Sequence, residues 1–206
     1  MSVDGEPKIF VVVGLPGVGK STVLNMAINR LREEGYSVEL INFGDFMLKL
    51  LVSKGLVRSR DEIRKLPLRV QQEVQAKAAE GIREYFSRRA MSSRGLIGFV
   101  DTHAMVKTPT GVWPGLPEHV IRRLRPHTII IVESSPEDIV SRQLRDLTRA
   151  RRDYANVELV KELLMLNRVF SVASAVLVGA SIAVVFNVEG RPEMAAEEIV
   201  NIVKHV

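Results

Sequence analysis

Gly14-Leu15-Pro16-Gly17-Val18-Gly19-Lys20-Ser21 places three glycines, a lysine and a hydroxyl at the spacing G-x-x-x-x-G-K-[ST]. Glycine lets backbone N–H groups turn inward around phosphate oxygens, and a helix starting at that point adds a favourable partial charge. Lys20 is then in reach of the β- and γ-phosphates of a nucleoside triphosphate, and the Ser21 hydroxyl is a magnesium ligand. Thr22 is placed to contact the α-phosphate. Such a loop needs a strand before it and a helix after it. Ile9 to Val13 is a short continuous apolar run, as in a parallel strand covered on both faces. Val23, Leu24, Ala27, Ile28 and Leu31 then repeat at helical spacing, with Gly35 as a C-terminal cap.

The same alternation continues along the chain. Tyr36 to Asn42, Leu96 to Val100, Thr128 to Glu133 and Ile182 to Phe186 read as further strands, the last as a buried central one. Short helical pieces are predicted around Asp45–Ser53 and Arg60–Leu66, and a longer helix is marked by Val70, Val74, Ala78, Ile82 and Phe86. Thr102 to Pro117 reads as a loop rich in Thr, Pro and Gly. Helices follow at Glu118–Leu124, from Pro136, from near Val157 and over Pro192–Val203. Strands alternating with helices predict an α/β fold: a five-stranded parallel sheet wrapped by helices on both faces.

Composition bounds the function. The 206 residues suit a single domain, and the absence of cysteine removes disulfides, thiolate zinc sites and cysteine nucleophiles while fitting a reducing compartment. A net charge of +5 suits a polyanionic partner, either nucleic acid or small phosphorylated molecules. Val169 to Val188 carries no charge, but Gly179 and several polar residues divide it into helix, turn and strand, so no membrane span is expected. The N-terminus has no basic region of the secretory type. A phosphate loop leaves GTPases, ATPases, helicases and small-molecule kinases open. No guanine-reading N-K-x-D and no D-x-x-G switch follow the relevant strands, and the length argues against a helicase.

Pro16 within the loop resembles nucleoside monophosphate kinases. Asn42-Phe43-Gly44-Asp45-Phe46-Met47, Arg60-Asp61-Glu62-Ile63-Arg64-Lys65-Leu66, Asp101-Thr102-His103-Ala104, Gly115-Leu116-Pro117, Ser141-Arg142-Gln143, Arg152-Asp153-Tyr154 and Asn187-Val188-Glu189-Gly190 then occur in order. The series is similar to the archaeal type of adenylate kinase and covers nearly the whole chain. The resemblance implies the P-loop kinase fold and reversible transfer from Mg·ATP to AMP giving two ADP. It also implies Mg²⁺ as cofactor, a cytoplasmic homotrimer, a helical AMP-binding insertion over residues 43–89 and a short lid over residues 142–153.

For the residues, the expectations are these. Arg142, Arg145, Arg149, Arg151 and Arg152 put five guanidinium groups within the lid, suited to bidentate phosphate contacts. Arg142, Arg149 and Arg152, with Lys20, are the expected catalytic set. Arg60 and Arg64 are expected to anchor the AMP phosphate, with Asp45 and His103 as further AMP contacts. Two arginine positions of the common adenylate kinases hold Leu48 and Met105 here. Asp101 is expected to hold Mg²⁺ through water, or else to cap its loop. His103 is not assigned as a base, because a phosphate nucleophile needs no deprotonation at neutral pH. Trp113 is either an adenine platform or packing, and Asn187–Gly190 is a resting place for the ATP adenine. The competing readings are a kinase for CMP, UMP or shikimate, an RNA-binding ATPase, and a structural nucleotide-binding module; nucleic-acid binding is not expected.

Overall fold

The computed structural model describes residues 6–206 apart from 64, 94, 109–110 and 146–155. Five strands, β1 (Lys8–Val13), β2 (Val38–Asn42), β3 (Ile97–Asp101), β6 (Thr128–Glu133) and β7 (Ser181–Phe186), form one sheet in the order β2-β3-β1-β6-β7. Every pair in it is parallel. β1 lies at the centre, and its side chains alternate between the two faces, as the two-residue strand period requires. Phe10 and Val12 join one hydrophobic cluster, while Ile9, Val11 and Val13 join the other.

On the first face lie the helices α1 (Lys20–Glu33) and α8 (Pro192–His205), with Ile139 of α6 (Pro136–Arg145) and Val160 and Leu163 of α7 (Val157–Val176). The second face is covered by α2 (Phe43–Val52), α4 (Leu68–Ser92) and α5 (Glu118–Leu124); a short α3 (Arg60–Ile63) connects α2 to α4. Asn42 ends β2 and caps α2 at once, its side-chain oxygen accepting a 3.1 Å hydrogen bond from the Asp45 N–H. This starts the helix at Phe43, two residues earlier than the apolar pattern predicts.

Two expectations are corrected. Residues 102–117 are not a plain loop: β4 (Met105–Thr108) and β5 (Gly111–Pro114) pair antiparallel, with Val106 opposite Trp113. Four-residue strands give too few alternations to stand out from the surrounding Thr, Pro and Gly. Ile182–Phe186 is also not central. As β7 it is the sheet's outer strand, paired only with β6, and only Val185 of it is buried. An apolar run cannot distinguish burial inside the fold from an apolar edge left outside it. Among the described residues, no helix is long and apolar enough to cross a membrane.

Packing between sheet and helix depends on shape as well as polarity. The Phe86 ring of α4, wholly buried, lies against Gly98 of β3, where an added Cβ would come within 2.9 Å of the ring. Truncating Phe86 opens a void against Gly98, which has no side chain to help fill it. Phe86→Ala is therefore expected to lower unfolding free energy by about 3–5 kcal/mol, read as an earlier urea midpoint; a loss below about 1 kcal/mol means that the layers close over the gap.

Candidate active site

All five strands of the main sheet end at the same edge, and the loops that leave them gather there, the usual ligand position in open parallel sheets. Residues 14–19 leave β1 and enter α1, whose N-cap is Gly19 at φ 82°, a left-handed backbone that costs glycine little. The loop's carbonyl oxygens are held from outside. Gln143 Nε2 donates to the Pro16 carbonyl at 2.7 Å, Arg142 Nη1 to Gly17 at 3.2 Å, and Asn187 Nδ2 to Val18 at 2.8 Å. The Leu15 carbonyl accepts from the Val18 N–H at 3.3 Å. His103 Nδ1 lies 3.1 Å from the Gly14 carbonyl, so that nitrogen carries the proton and Nε2 is the acceptor of the ring. With these carbonyls engaged, and the Val18 N–H used within the loop, the loop's other N–H groups suit an anion. Ser21 and Thr22, in the first turn of α1, are exposed at the loop's mouth.

Lys20 is 9% exposed and forms an ion pair with Asp101, while Nζ also donates to the Thr102 carbonyl at 2.7 Å. Burial lowers the Lys20 pKa from its ordinary value, and the Asp101 carboxylate opposes that shift. The other Asp101 oxygen accepts from Asn42 Nδ2 at 2.9 Å. Asn42 Oδ1 in turn accepts from Arg60 Nη2 at 2.7 Å, and Arg60 Nε donates to Asp45 at 3.1 Å. One connected set of polar groups thus runs from the phosphate loop to Arg60.

Asn42, Arg60, Asp101 and His103 share the wall of a cleft of about 630 Å³ with Trp113 and His119, a size suited to a small-molecule ligand. Desolvation lowers the His103 pKa from its ordinary value, with the Lys20 charge adding to the effect, so the ring is neutral at pH 7. Gln75 lies 3.3 Å from the His119 ring at another part of the wall.

Arg142 stands on the other side of the loop. Its Nε donates to Glu189 at 2.7 Å and a second nitrogen pairs with the same carboxylate. Arg145 reaches Glu189 at 3.4 Å. Hydrogen bonding from Arg142 is the main reason that the Glu189 pKa lies below the ordinary carboxylate value. Beneath this corner the nearly buried Glu133, 3% exposed, takes a bidentate contact from Arg168 at 2.7 and 2.5 Å. Arg64, Arg149, Arg151 and Arg152 lie outside the described residues.

Among the described residues, no group of three or more His, Asp or Glu side chains is arranged to hold a metal ion. The Ser21 hydroxyl and the Asp101 carboxylate are hard oxygen donors of the kind that bind magnesium together with substrate phosphates. Sequence reasoning did not single out Asn42, Gln143 or the Glu133–Arg168 pair. For Asn42 a signal existed: an asparagine between a strand and a helical run is a capping signature.

The family profile described as the AAA domain matches residues 13–161. An adenylate kinase of Saccharolobus solfataricus is 49% identical over 194 residues, covering 94% of this chain and 98% of its own. Its counterpart in Methanopyrus kandleri is 40% identical, covering 95% and 97%. A crystal structure of APE1195 is similar in fold alone, with a TM-score of 0.52 and 19% identity, covering 98% of this chain and 97% of its own. Near-complete coverage by relatives of 40% and 49% identity shows that the chain belongs to the adenylate kinase family, in its archaeal type.

Proposed function

We propose that Lys20 and Arg60 hold the donor and acceptor phosphates of the adenylate kinase reaction, and that the γ-phosphoryl group of ATP moves between them onto AMP. The observation that carries this reading is the connection of Lys20 to Arg60 through Asp101 and Asn42, with Arg60, Asp101 and Asn42 lining one cleft. Gly14 to Thr22 cradle the triphosphate, and Asp45, Arg64 and His103 complete the AMP site. The bond from the γ-phosphorus to the β–γ bridging oxygen breaks, and a bond to an AMP phosphate oxygen forms. The acceptor is already an anion, so no side chain has to remove a proton. The protein's work is alignment and charge stabilisation.

Bound Mg²⁺ would supply positive charge to offset that of the phosphates. In this reading the Ser21 hydroxyl would hold it directly and the Asp101 carboxylate through water. Asp101 now faces Lys20, so the donor phosphates would draw Lys20 away and release the carboxylate. Arg142 likewise must exchange Glu189 for phosphate before it can act with Arg149 and Arg152 on the transition state. In this reading residues 43–89 form the AMP-binding insertion and 142–153 the lid that excludes water; residues 146–153 of that lid lie outside the described residues.

A homotrimer is supported by apolar side chains on the open face of α7, where Met165, Val169, Val172 and Val176 are all exposed, the last at 76%. The outer strand β7 adds Val184 and Phe186. A reducing, cytoplasmic location is supported by the lack of cysteine. The partners proposed are ATP, AMP and ADP, not nucleic acid.

Incubation with ATP, Mg²⁺ and either AMP, CMP, UMP, GMP or no acceptor is expected to form two ADP per ATP only with AMP. Lys20→Ala is expected to abolish turnover with an unchanged circular dichroism spectrum. ATP consumption indifferent to AMP refutes the reading, and normal turnover by the variant refutes the role of Lys20. For assembly, sedimentation of micromolar protein is expected to give three times the 23.0 kDa chain mass, and Val172→Glu/Val176→Glu is expected to give the single-chain mass. Wild-type protein that sediments as a monomer sinks the trimer.

Acid stability provides another check. His103, His119 and His127 are all lowered from the ordinary 6.5, chiefly by desolvation. Below pH 6.5 the unfolded chain takes up protons that the fold resists, so this contribution to stability declines as pH falls through the ordinary histidine value. The melting temperature is expected to drop between pH 7.5 and pH 5, and the drop is expected to be smaller in His103→Gln; an equal drop in both proteins excludes His103 as a source.

A further inference from the structure

The geometry points to Asn42 as a positioning residue that makes occupation of the donor site tighten AMP binding. This inference rests on the assignment of Lys20 to the donor phosphates and Arg60 to the acceptor phosphate. Asn42 and Asp101 are direct register partners at the ends of β2 and β3, and Val12 of the central strand is the partner of Asp101 on its other side. The two side chains are therefore held by neighbouring parallel strands rather than by a loose loop. A one-residue slip in that register would turn one of them to the opposite face.

The Asn42 amide is a rigid plane with different partners at its two ends. Its Nδ2 donates to Asp101 at 2.9 Å, and its Oδ1 accepts from Arg60 at 2.7 Å and from the Asp45 N–H at 3.1 Å. Asp101 is shared in turn between Asn42 and Lys20. When the donor phosphates draw Lys20 off, Asp101 loses its direct ion pair, Mg²⁺ would reach it only through water, and the Asn42 amide remains as a direct hydrogen-bond donor to the carboxylate. Charge-assisted bonds of that kind are the strong ones. The amide is then held more firmly, and its oxygen fixes the Arg60 guanidinium in place before AMP arrives. Less ordering is left for AMP to impose, so it binds more tightly. By linkage AMP must tighten donor binding by the same factor.

A capping role alone would make no such link. Asn42 also caps α2, so Asn42→Ala would combine the two effects. Asn42→Ser keeps a capping oxygen and loses the Nδ2 donor, while Asn42→Asp keeps the shape and places a second carboxylate against Asp101. The measurement is calorimetric titration of AMP into the full chain with Mg²⁺, with and without a saturating ATP analogue whose β,γ-bridge does not break. In wild-type protein the analogue is expected to lower the AMP Kd by about fivefold or more, the low end of common couplings. In Asn42→Ser and in Asn42→Asp that ratio is expected to fall to about one, with the melting temperature of the serine variant near wild type. An unchanged ratio in the serine variant, or no coupling in wild type, overturns the inference. Arg60→Ala separates the two levels of the argument. If it leaves the AMP Kd unchanged, the assignment of Arg60 fails; if it weakens AMP while Asn42→Ser keeps its coupling, only the role of Asn42 fails.

Discussion

A loop that binds a polyanion through its backbone N–H groups must turn its carbonyl oxygens away and satisfy them elsewhere. Residues 14–19 meet that constraint with help from distant parts of the chain. His103 comes from just beyond β3, Gln143 and Arg142 from α6, and Asn187 from just beyond β7. The sheet order follows the same need, since β1 lies between β3 and β6 with β7 beyond. Supporting side chains thus approach the loop from both sides.

The cations around this loop are already paired. Lys20 rests on Asp101, Arg60 on Asp45 and Asn42, and Arg142 on Glu189. Several like charges gathered in one place repel each other, and carboxylates among them let the fold form without an anion present. In the proposed reading, substrate phosphates, which carry more negative charge than a carboxylate, compete with these partners and need not assemble the cations from solution. Nucleotide recognition on this view is an exchange of anions.

Much of this was legible in the sequence because local rules dictate it. The apolar run of Ile9–Val13, the glycine spacing after it and the helical period of Val23 to Leu31 each announce themselves within a few residues. Lys20 and Ser21 could be named for the same reason. Asn42 and Gln143 stand within the quoted motifs without an assigned role, since Asp101, Arg60 and Pro16, which they contact, lie far from them along the chain and an amide carries no charge to draw notice. The hairpin of Met105–Pro114 was too short to show a period, and β7 carries a buried-strand composition on an outer edge. What remained hidden in each case was a relation between separate segments.

The dependence of the loop on Asn187 has a consequence for biosynthesis. A chain made from its N-terminus presents Gly14–Ser21 early, but β7 is the last strand of the sheet to be synthesised and Asn187 comes after it. Until then the Val18 carbonyl lacks its amide partner and Arg142 lacks Glu189. A nascent chain on the ribosome therefore carries the full phosphate-loop sequence without the braced loop. ATP in the surrounding solution can assist the folding of the finished polypeptide far more than that of its growing precursor.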